Sequence, residues 1–557
     1  MGSFRIILQL SLFTLSLAKP YPASKLQWGP CNKTEVPSNV PVQCSTLHVP
    51  LDYTDKTSNE TLQLDLVKVL APVKTSKGSI LFNFGGPGGT ARNEIGVTPI
   101  AQELLALTGR QYDLIGFDPR GTSGSRIPMT CYDNEFEAWS LFFDQNPSNS
   151  SDAGLGSAWA RGKMVAETCL KNQNKTGSLI SSAFTARDFM QVVDALGEDG
   201  MLRYWGFSYG TTLGATIAAM FPDRIERMIL DGVQNPHEYY HAQADLQEWT
   251  DTDKEFSAFF SFCVANRDKC ALAKGNNKTA AELEQSVWDL LDTLKFNPLA
   301  TRNYKIDYST LKGFIVQDMY DSSTWPVLAG MLNLIFTEQL DSLEETLDAL
   351  NASEITDIFA TIQQPQSLAG IHCSDNMVRT EKFEDFVPAV YQMYNTSRTI
   401  GDALVSLYAT CAQWMIEPKE RYTGDFNVKT KNPVLFIGNS HDGLTPLVSA
   451  KNVSATFENS VVLEVDGYGH ASLAAPSACT IKTTSAYWAD GTLPPKGKIC
   501  ELDAPPFSDV TWKDVIDSVY GNGTFVSTST PKRGIAFRPT IGAALAPPVI
   551  LNGKLLA

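Results

Sequence analysis

The sequence predicts an α/β protein built on a doubly wound, mostly parallel sheet, and two observations carry that prediction. Short apolar runs rich in β-branched and aromatic residues recur along the chain, bounded by turn residues and separated by helical patterns. The alternation then stops over residues 233–432, and the patterns there are mainly helical, as expected of a large cap inserted after the sixth strand. The expected buried strands are Ser79–Phe84, Tyr112–Phe117, Arg203–Gly206, Arg227–Leu230, Pro433–Ile437 and Ser460–Val465. Each is too continuously apolar for a sheet wetted on one face, which suits parallel strands covered on both. Between them, Phe189, Val192, Val193 and Leu196 repeat at helical spacing within Thr185–Leu196. In the cap, Leu283–Leu294, Tyr308–Tyr320 and Val327–Leu340 read as helices. A smaller insertion is expected over about 126–180, rich in Gly, Ser and Asn.

Composition narrows the function. The 557 residues are 43 % hydrophobic, 19 % charged and 10 % aromatic, which is globular rather than disordered. With 45 Lys and Arg against 61 Asp and Glu, the formal charge is −16. No run of Lys or Arg exceeds two residues, so nucleic acid and anionic membranes are disfavoured as partners.

Residues 1–18 carry one arginine, the apolar run Ile6–Leu17 and small residues at Ser16 and Ala18, the pattern of a secretory signal. That run is too short to span a membrane, and the mildly apolar tail 541–557 is broken by Pro547 and Pro548. A secreted protein without a membrane span is expected, with a monomer favoured. Export agrees with ten cysteines: Cys31, Cys44, Cys131, Cys169, Cys263, Cys270, Cys373, Cys411, Cys479 and Cys500. Sequence leaves their connectivity open; pairing each with its neighbour closes the shortest loops. It agrees also with glycosylation sequons at Asn32, Asn59, Asn149, Asn174, Asn277, Asn351, Asn395, Asn452 and Asn522. No C-x-x-C is present and the six histidines do not cluster with the cysteines, so neither a metal nor another cofactor is expected.

The sharpest local signal is Gly206-Phe207-Ser208-Tyr209-Gly210. Chance alone would place a G-x-S-x-G in roughly one chain of this length in five. Its setting raises its weight, because it lies between a strand pattern and a helix pattern, where a nucleophile elbow belongs. A serine needs an oriented base, and in this architecture the order is serine, acid, histidine. Asp442, after the strand Pro433–Ile437, is the expected acid. His441 is too close in sequence to partner it, and only His470 follows. Gly85-Gly86-Pro87-Gly88-Gly89 follows the strand Ser79–Phe84 and lacks side chains that would block its amides. Gly86 and Tyr209 are the expected donors to an oxyanion. No phosphate-cradling pattern fits the same loop.

With these residues in view, the chain resembles the secreted tripeptidyl aminopeptidase and proline iminopeptidase group of α/β-hydrolase serine peptidases. The matching stretches are NFGGPGG (83–89), DLIGFDPRGTSGS (113–125), YWGFSYGTTLG (204–214), ILDGV (229–233), HDGLTP (441–446) and GYGH (467–470). The segment from Cys479 to Cys500 resembles the ending of the tripeptidyl type, and the likeness runs from about residue 27 to 504. It implies a serine, acid and base at Ser208, Asp442 and His470, and bridges Cys479–Cys500 and Cys373–Cys411. Phe84 stands where iminopeptidases usually carry histidine before the glycine loop, which favours the tripeptidyl type.

The organisation expected is a signal at 1–18, a core over 19–232 and 433–504, the cap at 233–432, and a C-terminal extension at 505–557. An amino-terminal peptidase needs an anion for its substrate's ammonium, and Asp375 and Glu248 are the candidates. The expected partner is a small peptide, because a cap of that size restricts entry. Three other readings compete: a carboxylesterase or amidase acting on a small metabolite, a serine carboxypeptidase, and an inactive hydrolase fold used for binding. Phe207 argues against the carboxypeptidase, which would favour Glu-Ser-Tyr at the elbow.

Overall fold

Alternate residues of the same apolar strands pack on opposite faces of one sheet. Ile80 and Phe82 belong to one core, Leu81 to the other; Ile229 and Leu230 divide in the same way. The computed structural model describes residues 25–32, 40–96, 100–132, 134, 137–138, 146–354, 358–521, 549–551 and 554–556. The expected signal at 1–18 and the sequon residue Asn522 lie outside the described residues, as does the side chain of Asn351.

Ten strands form the sheet: β1 (Gly29–Pro30), β2 (Val42–Pro50), β3 (Thr61–Val69), β4 (Ser79–Asn83), β5 (Asp113–Phe117), β6 (Leu202–Phe207), β7 (Ile225–Asp231), β10 (Leu435–His441), β11 (Val461–Tyr468) and β12 (Ile499–Glu501). A separate antiparallel pair, β8 (Leu299–Ala300) and β9 (Lys305–Ile306), lies among the helices. The order is β1-β2-β3-β5-β4-β6-β7-β10-β11-β12, antiparallel from β1 to β5 and parallel from there on. This is the α/β-hydrolase fold.

The sequence reading omitted β2 and β3. Thr61–Val69 alternates, with Leu62, Leu64 and Leu66 buried between more exposed residues, and so lacks the continuous apolar run that marks the inner strands. The predicted helix 327–340 is also two helices, Trp325–Phe336 and Leu340–Glu354, separated where Glu338 takes a φ of 54°.

One face of the sheet is covered by helices Ser182–Leu196 and Tyr209–Met220, the other by Ile100–Leu107, Ala478–Asp490 and Trp512–Tyr520. The last of these is amphipathic, burying Trp512, Val515 and Ile516, and the Trp512 indole donates to the Leu473 carbonyl. Between β7 and β10 the chain runs mainly through helices, whose aromatic residues, among them Phe256, Phe259, Trp288 and Trp325, form a core of their own. Helix Gly154–Asn172 packs on Val405–Ala412 so closely that a Cβ on Gly162 would lie 2.7 Å from the Ala409 backbone.

The disulfides join nearest neighbours: Cys31–Cys44, Cys131–Cys169, Cys263–Cys270, Cys373–Cys411 and Cys479–Cys500. Asn32, Asn59, Asn149, Asn174, Asn277, Asn395 and Asn452 are all exposed. No helix among the described residues is long and apolar enough to cross a membrane.

The edge strands are tied to the helical layer by a buried ion pair. Arg120 grips Asp188 with two hydrogen bonds of 2.7 and 2.9 Å and donates to the carbonyls of Leu51 and Pro50. The Tyr53 hydroxyl completes Asp188 at 2.7 Å. Replacing Arg120 by Met is expected to cost about 3–5 kcal/mol, because it strands a buried carboxylate and two carbonyls. Urea denaturation followed by tryptophan fluorescence measures this, and a loss under 1 kcal/mol would contradict the assignment.

Candidate active site

Strand β6 runs out at Phe207, and Ser208 turns the chain into helix Tyr209–Met220 with φ 57° and ψ −129°, a conformation an L-residue adopts only under constraint. The constraint is close packing. A Cβ on Gly206 would stand 2.2 Å from the Gly210 carbonyl oxygen, and one on Gly210 would stand 2.5 Å from that of Asn83. Both glycines of the G-x-S-x-G are therefore required by space. The glycine loop after β4 lies against the same turn: a Cβ on Gly85 would meet the Ser208 Cβ at 2.8 Å and the Tyr209 amide nitrogen at 3.0 Å. Asn83 Oδ1 accepts the Gly85 N–H at 3.0 Å and holds the loop there. Gly86 follows, joined to Pro87 by a cis peptide.

Asp442 leaves the end of β10 fully buried. Its carboxylate accepts N–H groups of Leu444, Thr445 and Ala471 at 2.8–2.9 Å and the Thr445 hydroxyl at 2.8 Å. His470 Nδ1 lies 3.2 Å from both carboxylate oxygens and 3.0 Å from Thr445 Oγ1. Burial alone would push Asp442 up, but the charge and hydrogen bond of His470 and the backbone donors together hold it below its usual range. His470 is placed from two sides. Its N–H donates to the Tyr320 carbonyl at 2.9 Å, and the Tyr320 ring stands perpendicular to the imidazole, 5.4 Å away. His470 Nε2 is buried and makes no hydrogen bond, so no bond joins it to Ser208 in this structure. His441 stacks on Tyr468 at 4.5 Å instead of joining the pair.

Helix Thr252–Ala265, between β7 and β10, braces the Asp442 loop: Glu255 accepts the Gly443 N–H, and the Thr252 hydroxyl donates to the Gly443 carbonyl. In the same helical segment, Glu248 accepts from the side chain of Gln234, which is itself held by Thr212 and Thr211 on the helix after Ser208. Asp245 lies nearby, with His372 Nε2 3.6 Å from Asp245 Oδ2. Asp245, His372 and Trp249 are all buried here, and Tyr408 lies within reach of both Asp245 and Trp249. Burial, and after it neighbouring carboxylates, push Glu248 and Asp245 well up.

The geometry corrects the expectation for Asp375. Its carboxylate has no exposed surface and already accepts from the Ser182 N–H and hydroxyl and from the Tyr239 hydroxyl, so no incoming ammonium reaches it. Glu248 stands beside Gln234 and Asp245. Sequence reasoning gave no role to Thr445, Asp231 or Asp245, although Thr445 lies in the matched stretch HDGLTP and Asp231 in ILDGV. Among the described residues no group of three or more His, Cys, Asp and Glu side chains is placed to hold a metal ion.

Two protein families match the chain: one described as alpha/beta hydrolase fold, over residues 78–306, and one described as TAP-like protein, over 397–500. The first stretch contains Ser208, the second Asp442 and His470. The chain is similar to Serine protease Hip1 of Mycobacterium tuberculosis, 25 % identical over 506 residues that cover 87 % of this chain and 92 % of the relative. It is similar to Tripeptidyl aminopeptidase of Streptomyces lividans, 25 % identical over 483 residues, covering 84 % and 85 %. Carboxylesterase B of Mycobacterium tuberculosis is 24 % identical over 494 residues, covering 86 % and 91 %.

The buried acids set a pH dependence of stability. Desolvation raises Glu103 and Asp245 from ordinary values of 4.5 and 3.8 to about 8, Glu94 to about 7, and Asp118, Asp231 and Asp375 to about 6. These groups stay protonated in the fold while the unfolded chain ionises, so their contribution is lost as pH rises from about 4 to about 8. His372 works in the opposite sense: burial lowers it from 6.5 to about 3, and stability falls as pH drops through that interval. Thermal unfolding is expected to show its highest Tm near about pH 4 and a lower one at pH 8. A Tm that rises steadily to pH 8 would contradict this reading of the buried carboxyls.

Proposed function

Because this chain is an α/β-hydrolase enzyme with a TAP-like C-terminal part, we propose that it is a secreted serine peptidase that releases short units, tripeptides foremost, from the amino ends of peptides. The observation that carries the reading is the Asp442–Thr445–His470 arrangement beside a strained Ser208, with His470 Nε2 left unpartnered. Two relatives named as peptidases, matching over most of both lengths, supply the peptide substrate. The expected leader and the five disulfides support export.

In this reading His470 Nε2 removes the Ser208 proton as the hydroxyl attacks the scissile carbonyl. Asp442 fixes the imidazole tautomer with Nδ1 as donor and stabilises the imidazolium. The Gly86 and Tyr209 amides hold the oxyanion, worth about 3–4 kcal/mol per donor. His470 returns the proton to the leaving amine, and water then hydrolyses the acyl-enzyme. Glu248, with Asp245 beside it, seats the substrate ammonium. Each carboxyl suppresses the other's ionisation, and a cation between them relieves both.

The test incubates secreted enzyme and a Ser208→Ala control with unblocked peptides, and reads products by mass spectrometry. Tripeptides from the amino end, formed only by the intact serine, are the expected result; single residues would shift the reading to the iminopeptidase type. Glu248→Gln or Asp245→Asn is expected to lower kcat/KM for free-amine peptides about 10- to 100-fold, the range of a charge-assisted hydrogen bond. Turnover of an N-blocked substrate should hold, and equal losses on both substrates would refute the amine seat. The relative named Carboxylesterase B keeps a second reading in view. Ser208-dependent ester turnover without peptide cleavage would select it.

A further inference from the structure

The motif ILDGV (229–233) entered the sequence comparison without a role, and its Asp231 occupies an unusual position in the fold. The residue ends β7 with no exposed surface. Its backbone carbonyl accepts the Ser208 N–H at 3.1 Å. Its side chain reaches the opposite wall: Oδ1 accepts the Ser472 N–H at 2.8 Å, Oδ2 accepts the Ser472 hydroxyl at 2.5 Å, and the Trp205 indole N–H lies 3.3 Å from Oδ2. Ser472 is two residues past His470.

Two strained positions meet at this residue. Ser208 has φ 57°, and Ala471, between His470 and Ser472, has φ 61°. Non-glycine residues hold such angles only where their surroundings over-determine them. At Ser208 the main chain of Asp231 is one of those constraints. At Ala471 the chain is clamped on both sides of the strained bond, the Ala471 N–H by Asp442 at 2.9 Å and the Ser472 N–H by Asp231. The next residue extends the contact. Gly232 donates its N–H to the Ile437 carbonyl of β10, and a Cβ there would come within 2.9 Å of the Ala471 Cβ and 3.0 Å of Thr445 Oγ1. Asp231 and Gly232 thus touch the serine turn, the acid strand and the histidine loop, which come from distant parts of the sequence.

We propose that Asp231 is a positioning residue that locks the Ser208 turn and the His470 loop into one register, so that Nε2 and Oγ are presented to each other when substrate arrives. The proposal rests on the reading of Ser208 and His470 given above. Asp231 touches no reacting atom; it acts through Ser472 on one side and the Ser208 amide on the other. The Ser472 amide and the Trp205 indole can only donate and face different oxygens, so together they require an acceptor at both. An asparagine offers one, and turns an N–H toward either Ser472 or the Trp205 indole.

The test compares Asp231→Asn, Ser472→Ala and the double variant with wild type, reading kcat, KM, the rate of Ser208 labelling by a fluorophosphonate, and Tm. Asp231→Asn is expected to lower kcat and the labelling rate together by about 10- to 100-fold, the cost of a displacement near 1 Å, while KM stays within about threefold. The double variant is expected to be little worse than Asp231→Asn alone, because both changes remove one contact. A drop in Tm with kcat and labelling of the folded fraction unchanged would reduce Asp231 to a structural residue and overturn the proposal, and so would additive losses in kcat. If Asp231→Asn does not fold, Ser472→Ala alone decides, since full activity there contradicts the lock. Wild-type protein that shows neither Ser208 labelling nor Ser208-dependent turnover would remove the underlying reading and this one together, whereas an active wild type beside a fully active Asp231→Asn removes only this one.

Discussion

The site depends on one carboxylate staying charged where water cannot reach it. Removing Asp442 from solvent costs several kcal/mol unless hydrogen bonds replace the lost hydration. Four donors and the His470 imidazole do so, and they come from two loops far apart in sequence: Leu444 and Thr445 from its own turn, His470 and Ala471 from the next. The same bonds that keep the charge also draw the histidine loop onto the end of β10. Electrostatic need and geometric placement are thus met by one set of contacts, and loss of any donor weakens both.

Other buried acids are treated in the opposite way. Glu248, Asp245, Glu255 and Glu103 are buried with few donors, and desolvation raises all four. Asp442 adds to the burden on Glu248 and Glu255, because like charges in a poorly screened interior suppress one another's ionisation. Glu248 and Glu255 therefore hold their protons near an ionised Asp442. Both belong to the helical layer between β7 and β10. That layer is attached firmly to the core: helix Thr252–Ala265 holds the Gly443 peptide at both its N–H and its carbonyl.

What could be read in the sequence follows from how each feature is encoded. The inner strands were legible because burial on both faces demands uninterrupted apolar side chains, as in Ser79–Asn83. β2 and β3 alternate and so escaped a search for continuous runs. The serine turn was legible because only glycine fits beside it, at Gly206 and Gly210, and steric exclusion writes itself directly into residue type. The roles of Thr445, Asp231 and Asp245 were not. A threonine or an aspartate is common on any surface, and nothing local distinguishes one that ends up buried against another loop. Asp375 shows the converse: an acid in the expected stretch of chain, but with its oxygens already filled by Ser182 and Tyr239.

By itself the sequence determined the alternation of strands and helices, the interruption that makes the helical layer, the glycine-framed serine turn and the order of serine, acid and histidine. Those are properties of local sterics and of hydrophobic periodicity, which act over a few residues. Only the tertiary structure decided which acids are buried, how Asp442 remains ionised, and that Asp231 joins the serine turn to the histidine loop. Each of those outcomes depends on desolvation and on hydrogen bonds between segments more than 20 residues apart (442 to 470, and 231 to 472), and such terms have no value until the chain has folded.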